Sequence, residues 1–334
     1  MRELIAALAA DDEADRYRLY ARSEHGGPLP DRFAWDLTRL RDPLWHLAVA
    51  RQASRAADAF LSTNSYLTAW ATTVPTAVVV HDMVAFLPDQ HAQARAARIE
   101  RATLRPALRR ADALLCISEA TRRDLVRLFP DAERIASVIP LAANVRFAQP
   151  VQPEQLERPY VLAVGTLEPR KNLARLVQAF VALPEELRAS HQLVLVGPQG
   201  WDVEETLHAA AARPADVAVL GHVDEARLHA LYAGAECFAY PSLYEGFGLP
   251  VLEAMATGAP VVTSTESSLP EVAGDAAVLA DPRDVRSIRD ALAAVLGSAD
   301  RAEQLRRAGR ERAQRFSWSR TASATRDVLR RLAS

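Results

Sequence analysis

Two doubly wound α/β domains are the architecture this chain predicts, on three observations. Short apolar runs alternate with helical stretches along most of its 334 residues, the pattern of parallel strands covered on both faces. A polar, proline-punctuated segment from Pro150 to Pro159 divides that alternation into two parts. In the second part Cys237-Phe-Ala-Tyr240 leads through a glycine-flanked turn into a segment that opens at Pro250 and closes at Gly258, which reads as strand, loop and helix.

The elements follow in order. Arg2 to Ala10 is helical in composition and spacing. The first strand of a doubly wound domain is central, and the turn after it carries glycines that face the ligand. Neither precedes Arg2, so the sequence is expected to start downstream of its natural beginning; loss of the strand is the alternative, and it would leave polar strand edges unpaired. Strand-like runs come next at Tyr17 to Tyr20, Ala59 to Ser62, Ala77 to Val80, Leu114 to Ile117 and Ile135 to Ile139, with helices around Trp45 to Ala57 and Ala94 to Arg110. Beyond the linker, Tyr160 to Val164 is a strand. Leu173, Leu176, Val177, Phe180 and Val181 then keep a helical period behind Asn172, a candidate cap. Leu193 to Val196, Val217 to Leu220, Cys237 to Tyr240 and Pro260 to Thr263 continue the sheet, and Ser319 to Leu332 is the last helix.

Composition excludes several function classes. The chain is 49% apolar and 25% charged with a net charge of −2, which is ordinary for a globular protein and argues against nucleic acid as partner. Cys116 and Cys237 lie in apolar runs and read as buried thiols of a reducing compartment. No apolar run reaches membrane-spanning length and no leader pattern opens the chain, so a cytoplasmic location is expected. Lys171 is the only lysine.

Chemistry concentrates at strand ends. The Gly246-Phe247-Gly248-Leu249 turn directs backbone N–H groups and a helix N-terminus at an anion. Glu245 and Glu253 bracket it, and carboxylates suit sugar hydroxyls better than phosphate. Gly165-Thr-Leu-Glu-Pro-Arg170-Lys171-Asn172 lies at another strand end, with Gly165 open to close approach and two cations placed to steady a leaving diphosphate. A single lysine among so many arginines suggests that a compact ammonium is needed there. His81-Asp82 follows Ala77 to Val80; taken alone, such a pair is more often a structural hydrogen bond than a site. Ser118 opens a helix as N-cap, with a donor contact as the second reading. Gly221-His-Val223-Asp224 closes a further strand, and Ser267 to Gly274 reads as a structural loop. No Asp-x-Asp pair and no metal-ligand spacing of His or Cys occurs, so neither metal nor cofactor is expected. Arg95, Arg98, Arg101, Arg105 and Arg109 make a basic helical stripe, either solvated surface or a contact for anionic lipid heads.

The string E-G-F-G-L-P-V-L-E-A-M-A-x-G from Glu245 resembles the signature of the retaining GT-B glycosyltransferases of family 4, the group 1, mannosyltransferase-like enzymes. That resemblance implies two Rossmann-like domains facing a cleft: an acceptor-side domain over 1–150, a linker over 151–158, a donor-binding domain over 159–316, and a helix at 319–332 packed back on the first. It implies transfer of a hexose, mannose before glucose, from a GDP- or UDP-sugar to a hydroxyl of a glycan or lipid-linked acceptor in cell-surface polysaccharide synthesis. The anomeric configuration would be kept by a front-face route, since no residue stands out as a nucleophile. By the same resemblance His81 and Glu245 meet the sugar, Glu253 the ribose, and Val223 the base. Arg170, Lys171 and the Gly246 to Leu249 amides meet the diphosphate. Two other readings use the same residues: a nucleotide-sugar-binding protein impaired in catalysis, and a nucleotide-sugar epimerase.

Overall fold

The computed structural model describes residues 1–11, 14–24, 27–63, 66–87 and 93–334. They divide into two units, Met1–Leu141 with Ser317–Ser334, and Ala142–Phe316. The 151–158 stretch thus lies inside the second unit, and the division falls earlier than the prolines suggest. Glu154 ties that stretch in place, its N–H donating to Ala230 O at 3.0 Å and its carboxylate accepting from Arg227 Nη2 at 2.9 Å, and just before it the Phe147 ring stands edge-on to His229 at 5.3 Å and to Tyr232 at 5.5 Å.

The first unit holds two parallel sheets. One pairs β1 (Tyr17–Ala21) with β2 (Phe33–Leu37). The other runs in the order β3 (Phe60–Ser62), β4 (Thr76–Val80), β5 (Ala113–Cys116), β6 (Ala136–Val138). Each of β1 and β3 has one edge with no ladder partner among the described residues, and a cavity of about 1290 Å³ is lined by every residue of both strands. The terminal helix Trp318–Ala333 belongs to this unit. Its Ala322 packs with Leu4, Leu8 and Phe33, and its Val328 with Ala77, Leu115 and Ile139.

The second unit is one parallel sheet of β7 (Tyr160–Val164), β8 (Gln192–Val196), β9 (Val217–Gly221), β10 (Cys237–Tyr240), β11 (Val261–Ser264) and β12 (Ala277–Ala280). Their order is β12-β11-β10-β7-β8-β9. Chain order therefore reverses between β7 and β10, and the crevice beyond the carboxyl ends at such a reversal is where open α/β sheets take ligands. Near-continuous apolar runs form these strands because both faces are covered. Leu162, Leu193, Val194, Phe238 and Val262 are fully buried, and helix residues Leu176, Phe180, Ile288 and Leu292 pack against the sheet. Both cysteines are buried free thiols, and burial pushes each up to about 12.

Candidate functional site

The two loops at the reversal point are joined by their own backbones. After β7 the chain turns at Gly165 with φ 145°, a conformation that disfavours any side chain. A Cβ there would stand 3.3 Å from Lys171 Cε, so the group that approaches Gly165 is the Lys171 stem. A single 3-10 turn, Pro169–Lys171, follows, and Asn172 takes a left-handed φ of 61° before the helix Leu173–Val181. Asn172 precedes that helix without capping it through its side chain. Its amide instead donates to Pro241 O at 3.0 Å and Pro282 O at 2.7 Å. Both are buried acceptors that need a donor, and the Asn172 amide supplies it. Leu243 N donates to Arg170 O at 2.8 Å, a second tie between the loops.

After β10 the chain passes Glu245 and reaches Gly248, whose φ of 110° starts the helix Leu249–Thr257, with Pro250 in its first turn and Gly258 closing it. The loop after β11 pins this stretch. Ser267 Oγ accepts from Glu245 N at 2.9 Å; Ser268 Oγ donates to Glu245 O at 2.9 Å and to Phe247 O at 2.7 Å. Phe247 is buried with its ring edge-on to Phe316 at 5.8 Å.

The cations of one loop meet the carboxylate of the other. Arg170 Nη1 donates to Glu245 Oε2 at 2.7 Å, and Lys171 Nζ to Glu245 Oε1 at 2.6 Å. Lys171 also donates to Tyr240 Oη at 2.5 Å. Arg170 Nε stands 2.5 Å from Glu168 Oε1. Burial works to raise the Glu245 carboxyl, yet Lys171 and Arg170 outweigh it and hold the group below the usual carboxylate range. Burial lowers Lys171, with Glu245 opposing. Burial also opposes the Arg170 charge, and Glu245 and Glu168 more than restore it. Glu253, one turn into the following helix, accepts from Tyr232 Oη at 3.2 Å, and burial raises it to about 7.

Of the residues singled out in the sequence, Gly165, Arg170, Lys171, Glu245 and the Gly246 to Leu249 turn come together at the β7–β10 reversal, with Glu253 behind them. Val223 is buried beyond β9, two strands from β7. His81 and Ser118 belong to the first unit, at the carboxyl ends of β4 and β5. His81 Nε2 is 2.6 Å from Thr63 O, and Ser118 Oγ caps the helix Glu119–Leu128 by accepting from Thr121 N at 3.0 Å. Thr121 Oγ1 reaches His81 O at 3.4 Å. Sequence reasoning passed over Glu168, Tyr240 and the part Ser267 and Ser268 play. Only the acidic character of Glu168 beside Arg170 could have signalled any of them.

Among the described residues, no three His, Cys, Asp or Glu side chains are grouped to hold a metal ion. No helix among them is long and apolar enough to cross a membrane. Arg95, Arg98, Arg101, Arg105 and Arg109 are exposed on the helix Ala94–Arg110. Two of them are engaged: Arg101 donates to Ala85 O, and Arg105 lies 5.7 Å over the Phe129 ring.

Comparison with known proteins gives a consistent picture. Residues 145–312 match the family described as Glycosyl transferases group 1, and residues 3–146 match Glycosyltransferase Family 4. The Escherichia coli O-antigen chain mannosyltransferase B is 36% identical over 312 residues, 89% of this chain and 76% of that protein. Among solved structures, Anabaena HepE with UDP and glucose superposes with a TM-score of 0.76 at 17% identity, covering 98% of this chain and 95% of that one. Sucrose-phosphate synthase from Thermosynechococcus elongatus gives 0.74 at 22%, covering 99% and 92%.

Proposed function

The chain belongs to the group 1 glycosyl transferases with a GT-B fold, and from that premise we propose that it is a retaining hexosyltransferase using a GDP- or UDP-sugar, with mannose the favoured sugar. The observation that carries the proposal is the convergence of Arg170 and Lys171 on Glu245 where strand order reverses. Two fixed cations there lower the barrier for departure of a diphosphate, because they stand ready where charge develops. The Gly246 to Leu249 turn adds backbone donors and the positive end of a helix. Glu245 accepts hydroxyls of the sugar, Glu253 those of the ribose, and Val223 contacts the base. His81 and Ser118 meet the donor from the first unit. The acceptor hydroxyl attacks from the face the diphosphate leaves, and a phosphate oxygen takes its proton, so configuration is kept and no metal is needed.

The acceptor is a glycan or lipid-linked glycan of a cell-surface polysaccharide; the E. coli relative is named for an O-antigen chain. Peripheral contact with the inner face of the membrane goes through the Arg95, Arg98 and Arg109 side of the stripe. The test is nucleoside diphosphate release from GDP-mannose and UDP-glucose with mannose-terminated and lipid-extracted acceptors, with and without a chelator. Proton NMR then reads the new linkage. We expect GDP-mannose to be used, the chelator to have no effect, and an α-linked product from the α-donor. A β-linked product overturns retention; loss of activity with chelator overturns the metal-free route.

A further inference from the structure

Glu168 is the one buried charge in the β7 loop that the proposed reaction leaves unused. Its side chain is 4% exposed. Its Oε1 lies 2.5 Å from Arg170 Nε without an aligned hydrogen bond, so the guanidinium acts on it mainly through charge, against the burial that raises its carboxyl. Glu245 is held differently, by hydrogen bonds from both Arg170 and Lys171. The charges acting on Glu168 are Arg170 and Lys171 from its own turn and Glu245 from the loop after β10. The loop after β8 meets it through Gly200, which has no side chain.

Arg170 and Lys171 against Glu168 and Glu245 sum to zero. A diphosphate entering this cluster adds negative charge and competes with the carboxylates for the same guanidinium, whose planar fork suits phosphate oxygens. Glu245 retains Lys171 when that happens. Among the described residues Glu168 is ion-paired with Arg170 alone, with Lys171 acting on it only through space, and a buried carboxylate stripped of its counter-ion is much costlier than the neutral carboxyl.

We propose that when the donor diphosphate takes over Arg170, Glu168 leaves the ion pair as a neutral carboxyl, so that donor binding draws a proton from solvent. This rests on the reading that the β7 loop holds the donor diphosphate. Glu168 is then a positioning residue: it parks the guanidinium while the site lacks donor and releases it on proton uptake. Burial already raises its carboxyl, the same direction as the proposed uptake.

The experiment is calorimetry with GDP-mannose and UDP-glucose, whose diphosphates carry no group that titrates near neutrality. It is run in buffers of differing ionisation enthalpy on wild type and Glu168→Gln. Wild type should take up about one proton per donor bound, with Kd rising up to about tenfold per pH unit. Glu168→Gln should abolish the uptake, flatten the pH dependence and bind several-fold tighter. Donor binding without proton exchange, or uptake that survives Glu168→Gln, overturns the inference and leaves the donor site standing. If neither donor binds the wild type, the donor site itself is overturned and the inference with it.

Discussion

The two units place their strand-end residues by opposite means. In the second, six strands form one sheet, and the loops after β7, β10 and β11 are laced together by Asn172, Ser267, Ser268 and the Glu245 ion pairs. In the first, the strands fall into two sheets, and His81 and Ser118 are held by hydrogen bonds rather than ion pairs: His81 Nε2 to Thr63 O, and His81 O and Ser118 Oγ to Thr121. A charged, cross-linked site is rigid but costly to neutralise. Strand ends held by hydrogen bonds alone are fixed without ion pairs.

The sharpest way to break this comparison is Lys171→Ala. Removing a preorganised cation from the leaving-group site should lower kcat about 10²-fold or more. Lys171→Arg should restore only part of it, because the planar fork needs more room in a slot so close to Gly165 that a Cβ there would stand 3.3 Å from Lys171 Cε. Unchanged turnover in both variants would mean that the second unit's cluster is structural only. Asn172→Ala comes next. It strands two buried carbonyls and should cost about 2 kcal/mol, read by denaturant unfolding. Hydrogen exchange should locate the loss in the second unit, and loosening of β3 to β6 instead would break the contrast.

Glu253 gives a pH axis. Burial raises it from 4.5 to about 7, so in that window the folded chain holds a proton that the unfolded chain has shed. Its contribution to stability is therefore fully present below about 4.5 and lost as pH rises through about 7. The Tm of wild type should fall relative to Glu253→Gln across that window, and parallel curves would count against a buried carboxyl. Ser118→Ala should be the mildest, about 1 kcal/mol for a lost N-cap, confined to the first unit. A drop in donor affinity of the same variant would show that its hydroxyl serves the ligand as well.

Local punctuation made much of the second unit legible. Pro250 and Gly258 mark the ends of a helix, and the apolar runs of β7, β8 and β10 need no tertiary context. The strand β2 was missed because Asp36 interrupts its apolar run, and β12 because Ala277–Ala280 is short and alanine-rich. Glu245 was legible as a carboxylate beside a glycine turn; its partners were not, since they lie 74 and 75 residues away in sequence and only strand order brings them near. Asn172 was read as a cap from its place before a helix. The nearby proline carbonyls, invisible in one dimension, decided otherwise.

The balance of charges around Glu245 also bears on how the donor arrives. Two cations and two carboxylates within a few ångströms cancel at any distance beyond their own separation, and the chain as a whole carries −2. Such a site exerts no long-range pull on an anion. Encounter with the nucleotide sugar is then left to plain diffusion, and added salt should scarcely slow it, because screening has no attraction to remove. The cations act only after contact, and recognition is thereby postponed to the last few ångströms of approach.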